Sequence, residues 1–295
     1  MRILGYVLCL VLPLGGVARA AEMPPAARVA ADLAVVLEAE GDHAGAALES
    51  GRVARLTPAA DQRAAWHWAA GFEYLRAGEP ARSEALLDAA EEETPADLLF
   101  PARLVRGETA RLRRDWDNAA FYFGSAARDR AAPADLRAFA VRRAAAAELE
   151  RGDQAAARAA LAAHPEIELA EAQAVLARYA AGRDKRPRLG GALGLIPGLG
   201  YLYAGEPANA LRSLILNGLF LFGMVHTAER DQWGAFAIIT FFEITWYSGS
   251  IYGGLDASHR YNQARRVAAV EALDGSGRLE ADYEALPAIR LNLRF

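Results

Sequence analysis

Between residues 24 and 182 apolar side chains recur at helical spacing, and short Gly or Pro turns break the pattern at regular intervals. Gly41, Gly78, Asp115 and Gly152 stand 37 residues apart. Five residues after each comes a small side chain: Ala46, Ser83, Ala120 and Ala157. Pro58 and Pro95 keep the same interval. One helical hairpin cannot bury its apolar face alone, so a fixed period of this size predicts stacked hairpins that share a core. Glycine at the turn reaches positive φ without steric cost. Trp66, Trp68, Phe72 and Tyr74 lie on one predicted helix and are expected at the centre of that core, the alternative being a peptide groove. The charged clusters around Glu91–Glu93, Arg111–Arg114, Arg128–Arg130 and Arg142–Arg143 read as solvated helix faces.

After Gly182 the pattern changes. Residues 183–188 form a basic linker, and residues 189–266 read as a membrane domain. Two apolar runs, about 208–227 and 233–254, flank the polar turn Glu229-Arg230-Asp231-Gln232. Each is long enough to cross ~30 Å of hydrocarbon as a helix, which predicts a transmembrane hairpin. A buried soluble hairpin is the alternative, because Arg212 and Glu243 weaken the signal. Residues 189–203 are apolar but short and contain Pro197, so a re-entrant or broken helix is expected there. Gly190, Gly194 and Gly198 form one small ridge, and Gly249, Gly253 and Ala257 another. Such ridges allow close packing in a bilayer, including packing between copies of the chain. Glu243 lies mid-span, where a charge is costly. Asn217 falls at nearly the same depth in a hairpin turning near 230–231, so the two are expected to pair. Proton or ion handling at Glu243 is the alternative.

The ends add compartment information. Arg2, the apolar run 3–17 and Ala18-Arg19-Ala20 read as a signal peptide over residues 1–20, with an uncleaved anchor as the alternative. Leu8 before the single cysteine, Cys9, argues against lipid attachment. Cleavage would leave no cysteine, excluding a disulfide, a thiol nucleophile and Cys-ligated zinc. Residues 267–295 read as a tail. A turn is expected at 274–278, without the glycine and glutamate of a calcium loop. Residues 289–295 alternate as a strand would and resemble the terminal strand of outer-membrane barrel proteins.

Charge is nearly balanced, 33 basic against 37 acidic residues, so no polyanion footprint points to nucleic acid. The five histidines are scattered, and no H-E-x-x-H, G-x-S-x-G or phosphate-loop pattern occurs. No catalytic residue, metal ligand or cofactor site is therefore assigned.

Two resemblances sharpen this outline. Gly71, Tyr74, Gly78, Ser83, Ala90 and Pro95 resemble the tetratricopeptide pattern, with units three residues longer than usual; the likeness covers about half the chain. Pro197, Gly198, Gly200, Tyr203 and Gly205 resemble the P-G-x-G-x-x-Y-x-G signature of an uncharacterised bacterial membrane-domain family, itself similar to two-transmembrane-helix domain proteins. The stretch Trp246–Gly253 through Arg260-Tyr261-Asn262 resembles that family's closing segment.

The resulting expectation is an all-α chain, a tetratricopeptide-like α-solenoid followed by a small helical membrane domain. The expected role is a non-enzymatic scaffold in envelope assembly or membrane-protein biogenesis, held in the bacterial inner membrane with periplasmic repeats. Its partners would be other envelope or membrane proteins and the lipid bilayer. Outer-membrane association is the minority alternative for location. The alternative function is an oligomeric transport or sensing module using Glu243, with the repeats as a regulatory cap. One conflict stands. With a cleaved leader, a simple hairpin leaves Arg183–Arg188 and His259–Arg266 both outside, against the positive-inside bias. A crossing by residues 189–203 would bring the second cluster inside.

Overall fold

The computed structural model describes residues 23–94 and 96–275. Residues 1–22 (with the expected signal peptide), Pro95 and residues 276–295 (with the alternating segment 289–295) lie outside them. The described residues are all-α, with no strand. Among the described residues, contacts divide the chain into two units, one comprising residues up to Leu176 together with 270–275, the other spanning Ala177–Ala269.

The first unit is a succession of helix pairs: α1 (Pro25–Glu40) with α2 (His43–Leu56), α3 (Ala60–Arg76) with α4 (Pro80–Ala90), α5 (Leu99–Leu112) with α6 (Trp116–Ala127), and α7 (Ala134–Glu150) with α8 (Gln154–Ala162). The first turn of α9 (Ala170–Ala181) closes the series. Helices adjacent in sequence pack on one another throughout the four pairs.

The turns explain the period. Gly41, Gly78 and Gly152 have φ of +81°, +76° and +86°. Asp42, Asp115 and Asp153 follow as N-caps, accepting from the backbone N–H of Gly45, Asn118 and Ala156 at 2.9, 3.2 and 2.8 Å. The expected turn residue of the third unit needs correction. Arg114, at φ 59°, takes the left-handed position, and Asp115 is the cap that follows it. The third unit thus turns one residue early, because a capping aspartate and a left-handed residue are separate requirements.

Close helix approach builds the core. A Cβ on Gly71 would stand 2.7 Å from Leu87, and one on Gly107 would stand 2.8 Å from the Phe123 ring. Ser83 and Ala90 are fully buried, and Ser83 Oγ lies 3.2 Å from Thr109 Oγ1. Trp66, Trp68, Phe72 and Tyr74 are buried, and the Arg82 guanidinium covers the Tyr74 ring at 5.6 Å. They are core, not a groove. Burial pushes the Glu73 carboxyl up, against the pull of Arg76 and His43, whose Nδ1 is 2.8 Å away.

The solvated-face reading holds for Glu91, Glu92, Arg113, Arg114, Arg128 and Arg130, which are exposed, and fails for Arg143. Arg143 is 2% exposed and holds Glu108 at 3.1 Å and Asp274 at 2.7 Å; Arg111 reaches Glu108 at 2.7 Å. Arg106 is buried against Asp88, Glu91 and the Leu87 carbonyl. Buried charges survive only in such partnered geometry. A 490 Å³ cavity between 168–172 and the end of the last helix is lined by Arg142, Glu168, Leu169 and Leu273.

Candidate functional site

The second unit contains α10 (Pro187–Leu193), α11 (Leu199–Ala204), α12 (Pro207–Ala228) and most of α13 (Trp233–Asp274). With no Gly or Pro between 255 and 274, α13 runs 42 residues to Asp274, so the tail expected from 267 begins eight residues later. Asp231 takes φ 54° in the turn between α12 and α13.

Residues 189–203 form a broken helix, as Pro197 requires. The chain turns over 194–198 and α11 folds back on α10. Three backbones meet here without side chains between them. A Cβ on Gly200 would stand 2.5 Å from the Gly190 carbonyl oxygen and 2.8 Å from Gly254 Cα. One on Gly194 would stand 2.6 Å from the Ser250 carbonyl oxygen. Gly198, at φ +87°, lies against the Ala210 carbonyl of α12, and Gly205 takes φ +87° to end α11. The motif glycines therefore serve contacts within the unit. Of the second small face, Ala257 is buried and Gly253 lies against the Tyr201 ring, while the space around Gly249 is open. Its neighbours Ser250 and Gly254 make the close approach instead.

The freed backbone groups of the turn find partners on α13. Tyr247 donates to the Leu195 carbonyl at 2.7 Å, and the Gly198 N–H donates to Ser250 Oγ at 3.4 Å. Ser250 Oγ also receives the Ser213 hydroxyl of α12 at 3.2 Å. Irregular backbone buried away from water needs this kind of cover.

The basic linker is fastened at the same end of the unit as the start of α12. The Asn262 side chain accepts from the Lys185 N–H at 2.7 Å and donates to the Lys185 carbonyl at 2.9 Å. The Lys185 ammonium sits over the rings of Tyr203 and Tyr261 at 4.8 and 5.1 Å. The motif tyrosine, Tyr203, also accepts from the Arg186 N–H at 2.9 Å. Arg265 reaches the Tyr179 carbonyl at 2.7 Å and pairs with Asp184. Arg260 grips both carboxylate oxygens of Glu206, at 2.8 and 2.9 Å, and pairs with Asp256. Burial alone would raise the Glu206 carboxyl, but bonds from Asn209 and Arg260 outweigh it and hold the group below the usual range. Sequence reasoning quoted Tyr261 and Asn262 as motif residues but missed Lys185, the chain's single lysine, as their target.

Asn217 and Glu243 are both buried, at 1% and 7% exposure, yet no hydrogen bond joins them. Asn217 Nδ2 donates to the Ser213 carbonyl at 2.7 Å. Asn217 Oδ1 and Glu243 Oε2 have no hydrogen-bond partner. The expected pairing is therefore not made. Contacts of Ser213 with Ser250, Phe220 with Trp246, and Gly223 with Ile239 set the register. They place Asn217 level with about position 246, roughly one helical turn from Glu243.

Among the described residues, α12 is the one helix long and apolar enough to cross a membrane, and 17% of its apolar window is buried. The apolar half of α13 carries Glu243, Thr245, Tyr247, Ser248 and Ser250 and falls short of that composition. No group of three or more His, Cys, Asp or Glu among the described residues could hold a metal. Compared with known proteins, the chain matches no family, no curated relative and no solved structure.

Proposed function

We propose that the chain is a membrane-anchored interaction scaffold of the bacterial envelope: a tetratricopeptide-like α-solenoid held at the bilayer by a hairpin of α12 and the apolar half of α13. One observation carries the anchor. The apolar side chains of α12, such as Leu211, Leu214, Leu219 and Phe222, are more than half exposed. A core helix of a soluble protein would bury them. Ile238, Phe241 and Ile244 of α13 are equally exposed, which supports a second crossing beside the first. Stacked repeats offer extended surface for protein partners, which supports a role in envelope assembly or membrane-protein biogenesis.

Alkaline carbonate washing of separated inner and outer membranes tests the anchor. Retention in the inner membrane is expected; release into the soluble fraction refutes it. Partner co-purification is expected to vanish when residues 24–182 are removed, and unchanged co-purification refutes the scaffold.

Two arguments bear on the side of the membrane, and they oppose. A cleaved leader assigns the repeats to the periplasm. The positive-inside bias favours the cytoplasm for the basic end: Arg183, Lys185, Arg186, Arg188, Arg260, Arg265 and Arg266 gather there, against Arg230 in the α12–α13 turn. No crossing intervenes between α9 and α10, so the repeats follow that end. Labelling of single cysteines at 186 and 231 in intact cells decides between them.

The buried, unpartnered oxygens of Glu243 and Asn217 favour a second reading, a transport or sensing module. Two crossings per chain form no pathway, so this reading requires oligomers. A monomer in mild detergent refutes it.

A further inference from the structure

We infer that the basic end of the second unit is a binding site for anionic phospholipid headgroups. The inference rests on the reading of α12 and α13 as membrane-crossing helices. Placement comes first. Lys185 is locked onto Tyr203, Tyr261 and Asn262, and Glu206 at the start of α12 is locked onto Arg260. Residues 183–188 are thereby held level with the first turn of α12. Leu211 and Leu214, at 58% and 56% exposure, lie one to two turns further on, and Leu189 is 42% exposed directly beside Arg188. This places the cations at the edge of the apolar belt, the depth of a lipid phosphate.

The charge balance points to what the cations hold. Each carboxylate of this end is already taken: Asp184 by Arg265, Glu206 and Asp256 by Arg260. The side chains of Arg183, Arg186 and Arg188 are exposed and meet no carboxylate among the described residues. Arg212, one turn into α12 and exposed, makes one long bond to Asn209 Oδ1 at 3.3 Å. The opposite end presents Glu229, Arg230 and Asp231 in its turn and has no such excess. A guanidinium offers a planar fork that matches phosphate oxygens in pairs. Its long stem lets Arg212 reach the interface from within the span. Acyl chains of the same lipid would cover Leu189, Leu211 and Leu214. A lipid thus satisfies charge and apolar surface together, which free phosphate does not.

The test uses the full chain in mild detergent, titrated with phosphatidylglycerol or phosphatidylcholine, with retained lipid read by native mass spectrometry. The native protein should retain phosphatidylglycerol at concentrations lower by on the order of tenfold. The preference should shrink at high salt, and millimolar inorganic phosphate should not displace the lipid. In the R183Q/R186Q/R188Q variant the preference should fall to near parity. Equal retention of the two lipids by native protein overturns the proposal. So does an unchanged preference in the variant, or displacement by phosphate alone. Flotation with pure phosphatidylcholine vesicles separates the two levels. Native protein that does not float sinks the membrane reading and the lipid site with it. Native protein that floats but shows no headgroup preference sinks the lipid site alone. If the variant does not float, the native protein's lipid preference and its salt dependence decide the outcome.

Discussion

Replacing Gly200 by Ala adds one methyl group at the point where three backbones meet. The new Cβ would stand 2.5 Å from the Gly190 carbonyl oxygen, 2.8 Å from Gly254 Cα and 3.2 Å from Gly194 N. All three are backbone atoms, so no side chain can swing aside; α10 or α13 must move. Overpacking of this kind costs about 1–3 kcal/mol. Alanine's better helix propensity returns about 1 kcal/mol, so the net loss is about 0–2 kcal/mol. Gly249 supplies the internal control. It lies in α13 with nothing within 4 Å of its added Cβ, so Gly249→Ala should stabilise by about 0.5–1 kcal/mol. Thermal unfolding of the full chain in one detergent, followed by far-ultraviolet circular dichroism, reads both variants. Shifts of opposite sign are expected, downward for Gly200→Ala and upward for Gly249→Ala. A Gly200→Ala protein at least as stable as the native one, or two variants that shift alike, would refute the three-backbone packing.

Other perturbations test the remaining elements. Arg114 holds φ 59° in the turn before Asp115; a left-handed non-glycine residue costs about 1–2 kcal/mol, glycine's entropy in the unfolded chain returns part of that, and Arg114→Gly should raise the melting temperature slightly, a fall counting against the strained turn. Arg143→Ala removes the cation that Glu108 and Asp274 share while Arg111 stays on Glu108, and should cost about 1–3 kcal/mol in a denaturant titration; an unchanged midpoint would mean that water reaches the cluster. Glu206 titrates below the ordinary carboxyl range, so the stability it contributes is present above that ordinary value and is lost as pH falls through the depressed one. Melting curves between pH 7 and pH 3 should therefore show less acid destabilisation for Glu206→Gln than for the native chain, and parallel curves would refute the Arg260 clamp.

Local physics made much of this protein legible before any packing was known. The recurrence of Gly41, Gly78 and Gly152 follows from one residue's freedom at positive φ, and the buried Trp66, Trp68, Phe72 and Tyr74 follow from helical spacing of apolar groups. The break at Pro197 follows from a missing N–H and a steric clash. The third turn was misplaced by one residue because a capping aspartate and a left-handed residue leave different traces, and Arg114 leaves none.

Tertiary structure alone decided which residues meet. Periodicity cannot tell a solvated arginine from Arg143 or Arg106, since their burial depends on where the neighbouring helices lie. Depth counting placed Asn217 beside Glu243, yet helix register depends on Ser213, Ser250, Gly223 and Ile239 fitting together. The first glycine ridge is filled from within, Gly190 and Gly194 lying against α13 and Gly198 against α12, whereas Gly249 of the second has open space around it. Lys185 stood out in composition as the single lysine, but its role required Tyr203, Tyr261 and Asn262 to arrive from segments up to 77 residues away. Conformational preference is a property of neighbouring residues in the chain, and it was readable there. Partnership is a property of distances across the fold, which the order of residues does not contain.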